Sequence, residues 1–524
     1  MNRTEAIRAI SDRSTKWDCL VIGGGATGLG TAVEAAARGL KTLLVERFDF
    51  AQGTSSRSTK LAHGGVRYLE QGNITLVRAA LRERGLMLQN APHLVHALQF
   101  VIPAYHLWQL PFYGVGLKIY DFLSGKLSLG HSKVLSRSET LNHLPTVETR
   151  GLKGGILYMD GQFDDSRLAI SLALTFWDLG GTIANYVEVV DLTKQNGKVS
   201  GAIVRDRETS SEHEVAAKIV VNATGVFVDA VRRLDEPDAR KLLAVSQGAH
   251  LVLPREFLPS RSALMIPKTS DGRVLFGIPW HDRLIIGTTD HEVPEPIAEP
   301  TIQEDEIHFM LTESAKYFDR DPSESDVLSC YVGLRPLVRA GEGSSTAALS
   351  RDHTVIVSTS GLITITGGKW TTYRHMAEDC IDHVCDVGGL ARSPSRTTNL
   401  PLHGSSKAPE IFSPPEHLAV YGAEREKVTL LAASNGFGEL VHPRLPYLRA
   451  EVLWAVREEM ARTVEDVLSR RTRALLLDSA AAVEAAPWVA ELLAAELGRD
   501  QSWQADQVKQ FCELARSYQI RPSA

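Results

Sequence analysis

Runs of consecutive apolar residues and one small-residue segment follow each other near the start of the chain, and their order predicts a βαβ unit. Asp18-Cys-Leu-Val-Ile22 is apolar without alternation, the pattern of a short strand buried on both faces. Gly23-Gly-Gly-Ala-Thr-Gly28 turns directly into Ala32–Arg38, a helix rich in small residues that Gly39 ends. Lys41–Glu46 supplies the second strand. Strand, glycine turn, helix and strand in this order are what a dinucleotide-binding fold requires.

From Thr182 the pattern changes. Ile183–Leu192, Lys198–Asp206 and Glu212–Asn222 are β-rich, and Asn196-Gly197 separates the first two as a hairpin turn. Ala249–Leu253 and Arg283–Gly287 read as further strands, and Ile302–Phe318 has helical spacing. Glycine, serine and proline cluster over residues 386–416, and beyond them Glu451–Ser469 and Ala480–Leu497 carry apolar positions three and four apart. The predicted fold class is α/β, a Rossmann-type nucleotide-binding fold with an α+β substrate portion built on an antiparallel sheet and a C-terminal helical domain. Residues 17–87, 151–232 and 330–386 are assigned to a discontinuous nucleotide-binding domain, 88–150 and 233–329 to a substrate-binding cap, and 400–524 to the helical domain.

The length of 524 residues suits two or three domains, and 44% hydrophobic with 23% charged residues suits a globular chain with a large core. A net charge of −6 disfavours nucleic acid as a partner but leaves room for a local basic patch that binds phosphate. The five cysteines have no paired ligand spacing, so free thiols in a reducing compartment and no metal site are expected. Met1–Lys16 is polar, unlike a signal peptide. The nearest approach to a membrane span, Phe100–Leu123, is broken by His106, Gln109, Pro111, Lys118 and Asp121. A cytoplasmic protein is expected. Trp108, Phe112, Tyr113, Tyr120 and Phe122 beside Lys118 suit a peripheral membrane contact, with an aromatic core or a homodimer contact as the alternatives.

Gly23, Gly25 and Gly28 form G-x-G-x-x-G: the first glycine permits the turn, the second lets a pyrophosphate approach the backbone, and the third lets helix and strand pack closely. The helix N-terminus offers N–H groups to the phosphates. Glu46 ends the next strand, where a carboxylate accepts a ribose hydroxyl. The fingerprint alone does not separate FAD from NAD. Two further strand-to-glycine junctions favour FAD: Val220–Gly225, ending in Ala223-Thr224-Gly225, and Ile363–Trp370, with Gly367 and Gly368 ahead of a helix. Three such junctions fit one extended cofactor lying across a sheet.

Longer motifs carry a resemblance. Thr54–Glu70 (TSSRSTKLAHGGVRYLE), Ile286–Asp290, Gly333–Leu337, Ser350–His353, Gly367–Arg374 and the run Arg457–Arg473 resemble, in order and over nearly the whole chain, the FAD-dependent (aerobic) glycerol-3-phosphate dehydrogenases. The resemblance implies oxidation of glycerol 3-phosphate by FAD, with electrons passed to quinone at a membrane surface. The cofactor positions it implies are Thr54, Ser55, Ser56, Lys60, His63, Gly64, Gly65, Lys369, Trp370 and Thr371, beside the glycine junctions above. The substrate is a dianion with a secondary alcohol, so its oxidation needs a phosphate clamp, a hydride acceptor and a proton acceptor. Arg335, Arg351 and Lys369 are assigned to the phosphate, Arg67 and Tyr68 to the carbon chain, and Thr288 or Thr289 to a substrate oxygen. His250 is the candidate base: strand alternation places it on one face with Gly248, which would leave room for substrate. His250, Arg335 and Arg67 are thus the expected catalytic residues. Two other readings remain open at this stage: an amine-oxidising flavoenzyme of the same fold, and a non-catalytic nucleotide-binding regulator.

Overall fold

The computed structural model describes residues 1–66, 73–339, 352–406, 417–434 and 436–520. Two sheets organise it. The nucleotide sheet contains β1 (Lys16–Ile22), β2 (Thr42–Val45), β7 (Thr182–Ala184), β8 (Val187–Gln195), β9 (Lys198–Asp206), β10 (Glu212–Asn222), β17 (His353–Val357) and β18 (Ile363–Gly367). Its path is β17-β18-β10-β1-β2-β7, parallel from β18 to β7, with β9 and β8 turned back antiparallel from β10. Val21 and Leu44 face one core and Leu20 and Leu43 another, so β1 and β2 are covered on both sides, as their unbroken apolar runs require.

The hairpin lies at the expected place: Asn196 (φ +52°) and Gly197 (φ +75°) join β8 to β9. The preceding run, expected as one strand over 183–192, is two strands. Tyr186 adopts φ +55° between them, and its hydroxyl donates to Asp466 at 2.6 Å. That break lets β7 close the parallel edge while β8 joins the antiparallel pair.

The second sheet contains β3 (Leu61–Ala62), β4 (Val95–Ala104), β5 (Lys133–Ser136), β6 (Gly154–Phe163), β11 (Leu243–Pro254), β12 (Ala263–Ile266), β13 (Leu275–Trp280), β14 (Arg283–Gly287), β15 (His291–Val293) and β16 (Ser329–Val338). It is antiparallel except where β12 meets β4. Alternation divides β11 cleanly. Ala249, Leu251 and Leu253 enter a core with Met310 of the helix Glu304–Ala315, while Gly248 and His250 face a cavity between the sheets.

The C-terminal portion is helical, as expected, but Glu451–Ser469 is not one helix. The first helix ends at Arg457, Met460 takes φ +58°, and a π-helical turn runs from Asp466 to Arg471. Buried ion pairs account for the break. Arg470 and Arg471 both reach Asp49 at 2.6 Å, just beyond β2, and Glu459 receives a two-pronged bond from Arg167 at 2.6 and 2.7 Å. Burial alone would raise the Asp49 carboxyl; Arg471 and Arg470 override it and hold the group ionised. Removing one partner of such a pair costs about 3–5 kcal/mol, so these anchors outrank helical periodicity.

Candidate active site

The carboxyl ends of β18, β10 and β1 are adjacent, which brings the three glycine junctions together. Gly23 has φ +111°, and a Cβ on it would lie 2.7 Å from the Ala223 carbonyl oxygen. A Cβ on Gly28 would lie 1.9 Å from the Gly23 oxygen, so the helix Ala26–Ala37 packs directly on the turn. Gly25 caps that helix without a side chain of its own, and Ser55 Oγ accepts from Ala26 N at 2.9 Å. Gly367 and Gly368, at φ +79° and +66°, and Gly225, at φ +61°, need the left-handed region. Bare backbone from three neighbouring strand ends is a surface that an extended dinucleotide fits.

Glu46 stands beside this surface. Its carboxylate accepts from Gly24 N at 2.5 Å and Phe48 N at 2.8 Å, and burial pushes its carboxyl up. It shapes the turn on which a ribose would rest. Thr54 donates to the Leu334 carbonyl at 2.6 Å, and Trp370 Nε1 donates to the Ser55 carbonyl at 2.8 Å, closing the segment against β16. His63 N donates to Thr371 Oγ1 at 3.3 Å, and Gly64 N donates to the Tyr120 hydroxyl at 2.8 Å. Lys60 and Ser56 lie behind this surface: Lys60 Nζ is fully buried, 2.7 Å from Asp165, and donates to the Ser56 carbonyl. Of this group, Thr54, His63, Gly65, Gly368, Lys369, Trp370 and Thr371 line the cavity.

The cavity has a volume of about 330 Å³. Phe100, Tyr158, Met265 and Phe276 form an apolar wall, and Arg57, Arg273, Arg335 and Lys369 a cationic one. Arg335 is framed by several partners. Its guanidinium donates to the Gln247 carbonyl at 3.2 Å, to Thr288 Oγ1 at 3.0 Å and to the Thr289 carbonyl at 3.0 Å, with the Asp290 carboxylate at 3.6 Å. About a quarter of its side chain (26%) stays exposed toward the cavity. Gly248 makes this possible: a Cβ there would sit 2.2 Å from Arg335 Nη2 and 2.7 Å from Thr288 Oγ1. The space that the strand pattern assigns to substrate is filled by the arginine fork, because Gly248 pairs with Gly333 and Arg335 lies two positions along the same face.

Thr288 presents its hydroxyl beside Arg335, whereas Thr289 donates to Glu306 at 2.5 Å and accepts from Ala249 N at 2.8 Å. His250 is buried in the cavity wall, stacked on Tyr331. Burial, and then the nearby Arg335 and Lys60, push its pKa well below the usual histidine value, so the ring is neutral. Arg67, Tyr68 and Arg351 lie outside the described residues.

Several cavity residues escape the sequence reading, Arg57, Asp160 and Arg273 among them. Arg57 pairs with Glu299 at 2.7 Å; it sits inside the Thr54–Glu70 motif, where its charge was available as a signal. Asp160 accepts from Arg84 at 2.9 Å and Tyr120 at 2.7 Å; a lone carboxylate within the apolar run of β6 marks it. Arg273, whose Nη1 donates to the Asp290 carbonyl at 3.1 Å, follows a surface turn and carries no local signal.

The FAD-dependent oxidoreductase family model matches residues 18–374, and that of the C-terminal domain of alpha-glycerophosphate oxidase matches residues 395–504. Mitochondrial glycerol-3-phosphate dehydrogenases of Macaca fascicularis and Homo sapiens are each 43% identical to the chain, over 96% of it and 73% of their own length. The crystal structure of the glycerol-3-phosphate dehydrogenase from Bacillus halodurans complexed with FAD superposes with a TM-score of 0.81 at 29% identity, covering 100% of this chain and 98% of that one. With its glycine cradle and cationic cavity in the positions described, the chain belongs to the FAD-dependent oxidoreductase family and, within it, to the glycerol-3-phosphate dehydrogenases.

Proposed function

We propose that the chain oxidises sn-glycerol 3-phosphate to dihydroxyacetone phosphate with FAD as hydride acceptor, and that the electrons pass on to a quinone. The observation that carries this reading is a cavity whose cationic wall runs up to Gly368 of one glycine junction, with the other two junctions at the neighbouring strand ends: a dianion and a dinucleotide find complementary surfaces side by side. Arg335 and Lys369, with Arg351, hold the phosphate; Arg67 and Tyr68 hold the carbon chain. Thr288 orients a substrate oxygen beside Arg335, and neutral His250 takes the proton of the secondary alcohol. FAD, when bound, supplies the two-electron acceptor. The apolar wall excludes water from the alcohol carbon and strengthens every charge contact in the cavity.

The reading extends to a membrane surface. On the helix Gln109–Ser124, Phe112, Val115, Ile119 and Phe122 recur at helical spacing and are exposed, with Trp108 just before them, while Leu117, Tyr120 and Ser124 are buried. An outward apolar stripe of this kind suits the interfacial layer of a bilayer, where a quinone resides. No helix among the described residues is long and apolar enough to cross a membrane. A cytoplasmic enzyme attached peripherally to the inner face is the form proposed. The test is reoxidation: holoenzyme reduced anaerobically by glycerol 3-phosphate is mixed with a short-chain quinone or with air-saturated buffer. Faster reoxidation by quinone is expected; faster reoxidation by oxygen refutes the quinone assignment.

A further inference from the structure

His250 is held on three sides. Tyr331, its register partner on β16, stacks flat against it with ring centres 4.6 Å apart and planes within 9°. Gly287, its partner on β14, leaves room for the ring, since a Cβ there would lie 2.2 Å from His250 Cδ2. The third contact is a hydrogen bond between Nε2 and Thr59 Oγ1 at 2.9 Å. Nδ1 is buried and has no hydrogen-bond partner among the described residues.

Thr59 is fixed on both sides in sequence. Ser58 Oγ donates to Asp165 at 2.7 Å, Lys60 Nζ pairs with the same carboxylate at 2.7 Å, and the Tyr331 hydroxyl donates to the Ser58 carbonyl at 3.0 Å. The fully buried Lys60–Asp165 pair, which does not itself line the cavity, thus sets the place of a residue that does. Thr59 lines the cavity while its hydroxyl is bonded to the imidazole.

We propose that Thr59 is a catalytic residue that relays the substrate proton to His250, its hydroxyl standing between Nε2 and the secondary alcohol of the substrate. The proposal rests on the reading of His250 as the base. As the alcohol O–H bond breaks, its proton passes to Thr59 Oγ1 while the Thr59 proton passes to Nε2. The hydrogen and electron pair of the C–H bond at the same carbon would leave as hydride to the flavin, when bound, as the C=O bond forms. Atoms and charges balance: one hydride to the flavin, one proton to the imidazole. Burial, Arg335 and Lys60 all disfavour the imidazolium, so the proton is not retained between turnovers. A dianionic phosphate at Arg335 offsets one of those charges while substrate is bound.

The test uses holoenzyme carrying Thr59→Val, Thr59→Ser or His250→Asn. Thr59→Val is expected to slow anaerobic flavin reduction about 100-fold, the order a positioned proton acceptor contributes, and Thr59→Ser to run close to the parent rate. Both should keep full FAD content and an unchanged dissociation constant for dihydroxyacetone phosphate, read from the shift in flavin absorption. Parent enzyme in mixtures of light and heavy water should give a curved proton inventory, because two protons move together. Thr59→Val reducing its flavin at the parent rate while His250→Asn is slow overturns the relay and leaves the base reading standing. Parent rates in both variants overturn both. If Thr59→Val fails to hold FAD, the inventory decides: a straight line, or no isotope effect, overturns the relay.

Discussion

Gly248→Ala perturbs the proposed phosphate clamp with a single methyl group. The backbone at Gly248 is outside the left-handed region, so alanine adds no strain of its own. The new Cβ would meet Arg335 Nη2 at 2.2 Å, where ordinary contact needs at least 3.4 Å, so the guanidinium must move by about 1.2 Å. That shift breaks its bonds to Thr288 Oγ1 and the Thr289 carbonyl, both 3.0 Å long. Misplacing a binding group by about 1 Å costs roughly 100-fold in rate, or about 2.7 kcal/mol of transition-state stabilisation. The arginine tip yields more easily than backbone does, so the fold and FAD content should survive. Stopped-flow reduction of the flavin by glycerol 3-phosphate should therefore show kcat/KM down about 100-fold. Arg335→Ala should fall by as much or more, with FAD retained, and the double variant should lose less than the sum of the two, because both disturb the joined Arg335 and Thr288 side chains. A Gly248→Ala enzyme with parent kinetics, or losses that add in full in the double variant, would refute the reasoning.

Lys60→Met leaves Asp165 charged and buried without its partner, which should cost about 3–5 kcal/mol in denaturant unfolding; an unchanged midpoint and slope would contradict the assignment. Burial, and then Arg167 and His403, lower His93 to about 4 from 6.5. Below pH 6.5 the unfolded chain takes a proton that the folded chain refuses, so stability is full above 6.5 and falls until pH 4, by about 3 kcal/mol from this group. His93→Gln should remove about one proton from the pH slope of stability in that window, and an identical slope would sink the claim. Phe122 is 83% exposed on the apolar stripe, and burying a phenylalanine contributes roughly 1.5–3 kcal/mol. Phe122→Asp should accordingly weaken flotation with anionic liposomes at least tenfold without altering turnover of a soluble acceptor; undiminished flotation would count against docking by this helix.

The nucleotide half of the fold is legible because its signals are local. The unbroken apolar run of β1, the glycines behind it and the Asn196-Gly197 turn each dictate their own geometry within a few residues. The second sheet is less so, since β4 meets β12 across about 160 residues and no short-range pattern states which strands pair. The site follows the same division. Arg335, Lys369 and His250 are recognisable from motifs or alternation, yet the role of Gly248 depends on its neighbour in β16. Lys60 carries a charge in a motif rich in cofactor positions, and only the approach of Asp165 from a distant helix shows why it is buried. The break after Arg457 is hidden for a similar reason: helical spacing is a property of the segment, whereas the ion pairs that override it belong to Asp49 and Arg167.

The most direct test of the account is a single anaerobic turnover of purified holoenzyme with excess sn-glycerol 3-phosphate, followed by quantification of product. The account predicts bleaching of the flavin with one dihydroxyacetone phosphate formed per flavin reduced, and no comparable reduction by unphosphorylated glycerol or by sarcosine. A flavin that stays oxidised with glycerol 3-phosphate, or that glycerol reduces equally well, would contradict it.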